Sequence, residues 1–274
     1  MLNLSELTDK VRALAIEAGD FIREERKKFH REAIEKKHAH DYVSYVDKES
    51  EKKIVTRLKE LLPEAGFIAE EGSGTLNDEQ YCWLVDPLDG TTNFIHDNAP
   101  YCVSIALRSK KELLLGVVYE ICRNECFWTY KGAPSYLNGN EIHVSAISNL
   151  DDSFIALGFP YATEEYKPMA NHLVNTLYGN VAGLRLMGAA AVELCYIAAG
   201  RFEARIEAFI GPWDIAAGTI ILQNAGGMIT DFKGGDSYSS GSQVLASNGR
   251  IHRDLLNICL LYTSPSPRDR TRSR

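Results

Sequence analysis

Apolar and polar positions in the first third of the chain follow a helical period. The repeating apolar residues are Leu4, Leu7, Val11, Leu14, Ala18, Phe21 and Ile22. A spacing of three and four residues predicts an amphipathic helix, and Asn3 with Glu6 resembles a capping pair at its start. A second periodic segment predicts a helix over about 48–62, ended by Pro63.

Short apolar runs then predict strands. Two candidates, 66–69 and 81–85, each run directly into acidic residues. Farther on, the pattern predicts a meander of strands over 101–108, 112–120, 125–130 and 141–145. Asn138-Gly139 is a strong turn sequence within it.

In the second half, strand patterns alternate with helical ones. Strands are predicted over 153–158, 181–186, 203–208, 227–231 and 243–247, and helices over 163–178, 189–199, 213–225 and from about 250. This order after a meander predicts a mixed α+β layered sandwich. We expect a single catalytic domain over 1–262, with an α+β half over about 1–145 and an α/β half over about 146–262. The Arg-rich, proline-containing segment 263–274 is predicted to be a disordered or foreign tail.

Charge and composition narrow the class of protein. The chain has a net charge of −7 and 45% hydrophobic residues, which is typical of a globular protein and argues against a nucleic-acid partner. No run of 18 apolar residues or basic leader is present, so we expect no membrane association and a cytoplasmic location. The six cysteines form no C-x-x-C pair and are expected to be reduced and mostly buried.

The segment with the clearest chemistry is Asp86-Pro87-Leu88-Asp89-Gly90-Thr91-Thr92-Asn93-Phe94. Two carboxylates three residues apart after a strand can converge on one hard cation. The amides of Gly90 and Thr91 then remain available for a phosphate oxygen. The spacing fits neither an EF-hand nor the D-x-D pattern of haloacid-dehalogenase phosphatases. Taken alone, an Asx-rich structural turn also explains the segment.

Other acidic residues extend this group. Glu70-Glu71 follows a strand, and Asp214 lies where a helix begins. Although Asp214 could serve only as an N-cap, carboxylates from three such places are what a site for several Mg²⁺ ions requires. We find no His or Cys cluster that would favour a softer metal.

These motifs resemble those of the inositol monophosphatase family, within the Mg²⁺-dependent, lithium-sensitive phosphatases. The matching segments are Asp86–Phe94, Phe67–Gly72, Trp213–Gly218 and, more weakly, Asp41–Asp47 and Gly188–Ala191. They occur in the family's order and cover about residues 4 to 260. The resemblance implies a layered αβαβα sandwich of the sugar-phosphatase type and a homodimer.

The resemblance also implies roles for individual residues. The metal ligands would be Glu70, Asp86, the Leu88 carbonyl, Asp89 and Asp214, holding two Mg²⁺ ions and a weaker third near Glu70. The substrate contacts would be Asp89, Gly90, Thr91, Ala190, Glu207 and Asp214, with Lys36 or Lys37 near the phosphate. The catalytic group would be Glu70, Thr91 and Asp47.

The expected reaction is hydrolysis of a small phosphate monoester. In this hypothesis Glu70, helped by the Thr91–Asp47 pair, orients and deprotonates a water molecule that Mg²⁺ activates. Inositol 1-phosphate is the favoured substrate; fructose 1,6-bisphosphate, 3′-phosphoadenosine 5′-phosphate and histidinol phosphate are alternatives. A non-catalytic regulatory binding protein is the distant alternative. Most histidines, including His252, are expected to be solvated or close to the site.

Overall fold

The structure is a computed structural model. It describes residues 2–29, 34–38, 41–74, 79–110, 112–160, 163–240 and 243–263. The predicted tail beyond Thr263 and the side chains of Lys36 and Lys37 lie outside the described part. The helices are α1 (Leu4–Lys28), α2 (Tyr45–Leu61), α3 (Thr91–Ile95), α4 (Thr163–Leu177), α5 (Ala190–Ala198), α6 (Pro212–Asn224) and α7 (His252–Thr263).

A seven-stranded sheet forms the first half. After a separate hairpin of β1 (Ile34–His38) and β2 (Asp41–Ser44), its strands are β3 (Gly66–Ala69), β4 (Tyr81–Asp89), β5 (Cys102–Ser109), β6 (Leu113–Glu120), β7 (Glu125–Tyr130), β8 (Ser135–Leu137) and β9 (Asn140–Ile142), in that spatial order. Side chains of β4 alternate between two cores, as strand geometry requires. Trp83 and Val85 pack with α1 and α2, whereas Leu84 packs with α5 and α6.

A five-stranded sheet forms the second half. Its strands are β10 (Phe154–Leu157), β11 (Gly183–Arg185), β12 (Ala204–Ala208), β13 (Met228–Thr230) and β14 (Gln243–Ser247), in the order β11-β10-β12-β14-β13. One face packs on α5 and α6, and the other on α4 and α7. Helices, sheet, helices, sheet and helices therefore form five layers, which confirms the predicted αβαβα sandwich. None of the described helices is long and apolar enough to cross a membrane.

Element boundaries differ from the predictions where polar groups decide them. Helix α2 begins at Tyr45 because Ser44 and Asp47 form a reciprocal capping box. Strand β4 continues to Asp89 through an irregularity in its pairing with β5. The predicted strand 141–145 is shortened to β9, which pairs with β8 across the predicted turn, where Asn138 and Gly139 have positive φ angles of 49° and 86°.

Candidate active site

Two neighbouring strands bring the first three carboxylates together. Strands β3 and β4 are parallel, with Ala69 opposite Val85, so the residues that follow each lie at one edge of the sheet. The Glu70 amide donates to the Val85 carbonyl at 3.2 Å. Asp86 is 1% exposed and Asp89 is 9% exposed. The large sheet itself therefore places Glu70 beside Asp86.

The fourth carboxylate comes from the helix layer between the sheets. Asp214 lies in the first turn of α6, where its Oδ2 accepts from the Gly211 amide at 2.7 Å. The Ser104 hydroxyl, on the strand position opposite Asp86, donates to the Trp213 carbonyl at 3.4 Å. This contact ties the start of α6 to the sheet and brings Asp214 to the other acids.

Burial and mutual repulsion act on these acids together. Burial, followed by the charges of Glu70, Asp89 and Asp214, raises the pKa of Asp86 well above its ordinary value. Burial, then Glu70 and Asp89, does the same to the pKa of Asp214. Burial raises the pKa of Asp89 to about 7, although its hydrogen bonds to the backbone of α5 oppose the shift. Without a bound cation, the fold therefore disfavours the charged forms of these acids.

This donor set fits Mg²⁺ by its chemistry. As they stand, no three or more His, Cys, Asp or Glu side chains in the described ranges are spaced to hold a metal ion. A bound cation would nevertheless favour the charged forms of Asp86 and Asp214, whose pKa values burial and the neighbouring acids raise. Buried oxygen donors without nitrogen or sulfur suit a hard divalent ion. These acids are therefore candidate ligands for Mg²⁺.

Helix α2 supports the acidic edge from below with three buried polar residues. The Ser50 hydroxyl donates to the Pro87 carbonyl at 3.2 Å. The Glu51 carboxylate accepts from the amides of Glu71 at 2.6 Å and Ser73 at 2.9 Å, which holds the turn after β3. Asp47, one turn earlier, reaches Thr91. Sequence reasoning missed Ser50 and Glu51; their sign was a polar i, i+3, i+4 stripe on an otherwise amphipathic helix.

The Thr91 hydroxyl is oriented by its neighbours. It lies 2.8 Å from Asp47 Oδ1 and 3.1 Å from the Leu88 carbonyl, and both of these oxygens are acceptors. Because its single proton is donated to one of these two oxygens, the lone pairs of the Thr91 oxygen remain available to accept from another donor. Burial raises the pKa of Asp47, although hydrogen bonds from Ser44 and Thr91 oppose the shift.

Gly90 allows the chain to turn tightly from β4 into α3. Its φ is +89°, a conformation that favours glycine. A Cβ at this position would lie 2.9 Å from the Pro100 carbonyl and 3.3 Å from the Ala189 Cβ. Gly90 therefore brings Asp89 and Thr91 close to the start of α5, where the Ala191 amide donates to Asp89 Oδ2 at 2.7 Å.

A cavity of about 660 Å³ lies over these groups. It is lined by Glu70, Asp86, Asp89, Gly90, Thr91, Ala190, Glu207 and Asp214 among others. Among the described side chains, the structure thus brings together every predicted metal or substrate residue except Leu88, which lies buried and whose carbonyl accepts from the Thr91 hydroxyl. A larger cavity of about 900 Å³, beside Arg108 and Tyr238, is lined by none of the four acids.

The wall that carries Glu207 also contains two residues that sequence reasoning missed. Arg205 Nε donates to Glu193, and Arg205 Nη2 donates to Glu207. Burial opposes the charge on Arg205, but Glu207 and Glu193 outweigh it and raise its pKa. The alternation Ala-Arg-Ile-Glu-Ala in β12 was the sequence signal that could have indicated Arg205, because it places Arg205 and Glu207 on one face of the strand.

Comparison with known proteins agrees with this geometry. The model of the inositol monophosphatase family matches residues 3–260. This chain belongs to the inositol monophosphatase family. The family depends on Mg²⁺ in general, which agrees with the acidic donor set described above.

Some of the similar proteins are named SuhB and others IMPase. The Nus factor SuhB of Pasteurella multocida is 39% identical over 223 residues, covering 81% of this chain and 83% of the relative. The solved SuhB of Bartonella henselae has a TM-score of 0.85 at 33% identity, covering 90% of this chain and 95% of that one. An IMPase from Thermotoga maritima has a TM-score of 0.84 at 28% identity, covering 93% and 97%.

Proposed function

We propose that this protein is a Mg²⁺-dependent phosphatase that hydrolyses a small phosphate monoester, with inositol 1-phosphate as its preferred substrate. The observation that carries the proposal is the set of four acids, Glu70, Asp86, Asp89 and Asp214, which line one cavity. Such a set attracts divalent cations, which in turn attract an anionic ester. A structural role alone does not account for four acids that repel one another.

The ligands for two to three Mg²⁺ ions would be the carboxylates of Glu70, Asp86, Asp89 and Asp214 and the Leu88 carbonyl. When bound, Mg²⁺ supplies charge neutralisation to the phosphate ester and lowers the pKa of the attacking water. The start of α3 after Gly90 presents backbone amides to the phosphate. Asp89 is kept in place by the Ala191 amide at 2.7 Å.

Thr91 would orient the attacking water and Glu70 would deprotonate it. With its own proton directed to Asp47 or the Leu88 carbonyl, the Thr91 oxygen can accept one hydrogen of the water. Glu70, held beside Asp86 by the β3–β4 pairing, accepts the proton that the water loses. Asp47 orients Thr91 and takes no proton itself, in the manner of a third group behind a nucleophile and base.

Glu207 and Ala190 form the part of the cavity that would receive the alcohol group. Glu207 offers a carboxylate that can accept from ring hydroxyls, which supports a polyol ester as the substrate. A bisphosphate such as fructose 1,6-bisphosphate needs a free cation for its second phosphate. Among the described cavity-lining residues, Arg205 is the only basic one, and it already contacts two glutamates.

Phosphate release from inositol 1-phosphate, fructose 1,6-bisphosphate, 3′-phosphoadenosine 5′-phosphate and histidinol phosphate tests the proposal. We expect turnover that requires Mg²⁺ and is highest for inositol 1-phosphate. Preference for another ester would retain the chemistry and reject the substrate. Absence of turnover on all four esters at saturating Mg²⁺ would reject the enzyme.

The second candidate is a regulatory binding protein, which the Nus factor name of relatives at 39% identity favours. That name belongs to those proteins and describes a factor rather than a hydrolase. The intact acid set supports hydrolysis here, and the two roles are compatible in one molecule. A cytoplasmic location, a homodimer and the absence of nucleic-acid and membrane partners stay predictions.

A further inference from the structure

The cavity wall that would bind the alcohol contains a charged triad, Glu193, Arg205 and Glu207, of which the proposed chemistry uses only Glu207. Arg205 lies between Glu193 of α5 and Glu207 of its own strand, and its side chain is 3% exposed. Its Nη1 is buried and, within the described residues, has no hydrogen-bond partner. A buried cationic donor without an acceptor is costly, so this arrangement calls for an explanation beyond stability.

Small neighbours make room for the triad. On β12, Ala204, Ile206 and Ala208 face the outer core, so Arg205 and Glu207 face α5 and the cavity. The residues paired with Arg205 are alanines on both sides, Ala156 on β10 and Ala246 on β14. Any larger side chain at these positions would compete with the guanidinium for space.

Gly158 leaves the space that the Glu207 carboxylate occupies. A Cβ on Gly158 would lie 2.2 Å from Glu207 Cδ and 2.3 Å from its Oε2. The Gly158 amide donates to the Ile206 carbonyl at 3.0 Å, so the backbone here is fixed next to β12. An alanine at 158 would therefore displace the carboxylate without changing any charge.

Glu193 connects the triad to the other side of the site. Its Oε1 accepts from the amides of Met187 and Gly188, each at 3.1 Å, and so holds the loop that precedes α5. The first turn of α5 holds Asp89 through the Ala191 amide. One chain of contacts thus runs from Glu207 through Arg205 and Glu193 to the loop before α5, whose first turn holds the metal-binding edge.

We propose that Arg205 is a specificity-determining positioning residue: by bridging Glu193 and Glu207 it makes this wall select an uncharged polyol over a second phosphate. The inference rests on the proposed function. Glu207, held in place by Arg205, accepts hydrogen bonds, and the ring hydroxyls of a polyol can donate them whereas a fully ionised phosphate cannot. A phosphate near Glu207 would meet a like charge, because the triad carries one more negative than positive charge.

Kinetics on two esters at saturating Mg²⁺ test this inference. Inositol 1-phosphate reaches the wall with its ring hydroxyls, whereas p-nitrophenyl phosphate has none. For Arg205→Gln we expect KM for inositol 1-phosphate to rise about tenfold or more, with kcat changed by less than about threefold. For p-nitrophenyl phosphate, kcat/KM should change by less than about threefold. Arg205→Lys should behave like the Gln variant, because a lysine cannot contact both glutamates in the same geometry.

Gly158→Ala provides an independent test should the Arg205 variants fail to fold. It should raise KM for inositol 1-phosphate and spare p-nitrophenyl phosphate. Gly183→Ala is the matched control, since Gly183 lies on the same sheet, outside the cavity lining, and the atoms nearest to its Cβ would belong to the Phe154 ring and Arg185. That control should leave the ratio of the two kcat/KM values unchanged.

The possible results separate this inference from the function on which it rests. Equal losses on both esters, or wild-type selectivity in Arg205→Lys, would overturn the positioning role. A selective loss of fructose 1,6-bisphosphate hydrolysis in Arg205→Gln would show that Arg205 binds a second phosphate instead. No turnover of any ester by the wild-type protein would reject the proposed function and this inference together.

Discussion

Two groups of buried charge face the same cavity, and they differ in how the fold balances them. The acids at the edge of the large sheet, Asp86 above all, repel one another and have strongly raised pKa values. On the small sheet, Glu193 and Glu207 are instead bridged by Arg205. The first group needs a bound cation from outside the protein, whereas Arg205 supplies the positive charge in the second group.

The difference indicates what each group is for. A set of like charges is unstable until a ligand arrives, so binding energy and catalysis are coupled there. A set bridged by its own cation is already held in place without ligand, and this suits it to select the alcohol. Removing one acid from the first group should reduce electrostatic repulsion and stabilise the fold. Removing the cation from the second group should leave carboxylates unpaired and destabilise the fold.

The largest effect is expected for Asp86→Asn. It should lower phosphatase activity by about 10⁴-fold, roughly 5 kcal/mol, because one of the proposed Mg²⁺ ligands is lost. Without Mg²⁺, the melting temperature should rise, because Asp86 is a buried acid that the neighbouring acids repel. Activity assays and thermal melts with and without Mg²⁺ measure both effects. The control Asp151→Asn, at an exposed position, should change neither activity nor melting temperature. An Asp86→Asn protein with more than half of wild-type activity would refute the assignment of Asp86.

The opposite sign is expected for Arg205→Met. The buried Glu193 and the half-buried Glu207 would lose their cation, which should lower the free energy of unfolding by about 3–5 kcal/mol. Chemical denaturation in saturating Mg²⁺ measures this change. Glu193→Gln combined with Arg205→Met should recover part of the loss, because one fewer carboxylate is left unpaired. Undiminished stability in the single variant would contradict the view that the triad is internally balanced.

A smaller effect is expected at the group that orients water. Thr91→Val removes the hydroxyl held by Asp47 and should lower kcat by about 10²-fold, in the range of a lost proton-handling contact. Thr91→Ser keeps the hydroxyl and should retain most of the activity. Mg²⁺-induced thermal stabilisation should be the same in both variants. Equal kcat values for the two would remove Thr91 from the mechanism.

The smallest effect concerns a buried histidine with neutral partners. His252 is 4% exposed, and its two ring nitrogens lie 2.9 Å from Ser247 Oγ and 3.0 Å from Thr230 Oγ1. Burial lowers its pKa to about 4. As pH falls from 7.5 to 5.5, the unfolded chain therefore binds a proton that the folded protein does not, and stability falls.

Comparison with His252→Gln isolates this contribution. The wild-type protein should lose about 1 kcal/mol more stability than the variant over that pH range, in denaturation experiments at constant Mg²⁺. If the wild-type protein loses no more than the variant, burial does not keep His252 neutral.

The sequence predicted the layers and the acidic edge well because both follow local patterns. Strand ends deliver Glu70 and Asp86, and the helix start delivers Asp214, so the family motifs coincide with the local structure. The contacts that support them were not predictable. Glu51 reaches the amides of Glu71 and Ser73 across 20 and 22 residues, a distance that no local pattern specifies.

Arg205 and His252 show the same limit in the second half. A charged residue in a strand is usually solvated, and only the αβαβα packing shows that α5 covers Arg205 with a glutamate. His252, expected to be solvated or near the site, is buried in the small-sheet half because Ser247 and Thr230 satisfy both ring nitrogens. Both outcomes depend on tertiary partners that lie far away in the sequence or on another element.

The most direct test of the central claim is the rate of phosphate release from inositol 1-phosphate as a function of Mg²⁺, starting from chelated protein. We expect no phosphate release without Mg²⁺, a release rate that rises to saturation as Mg²⁺ is added, and a parallel rise in melting temperature. Release at the same rate in the presence of chelator, or a Mg²⁺-induced rise in melting temperature with no release, would contradict it.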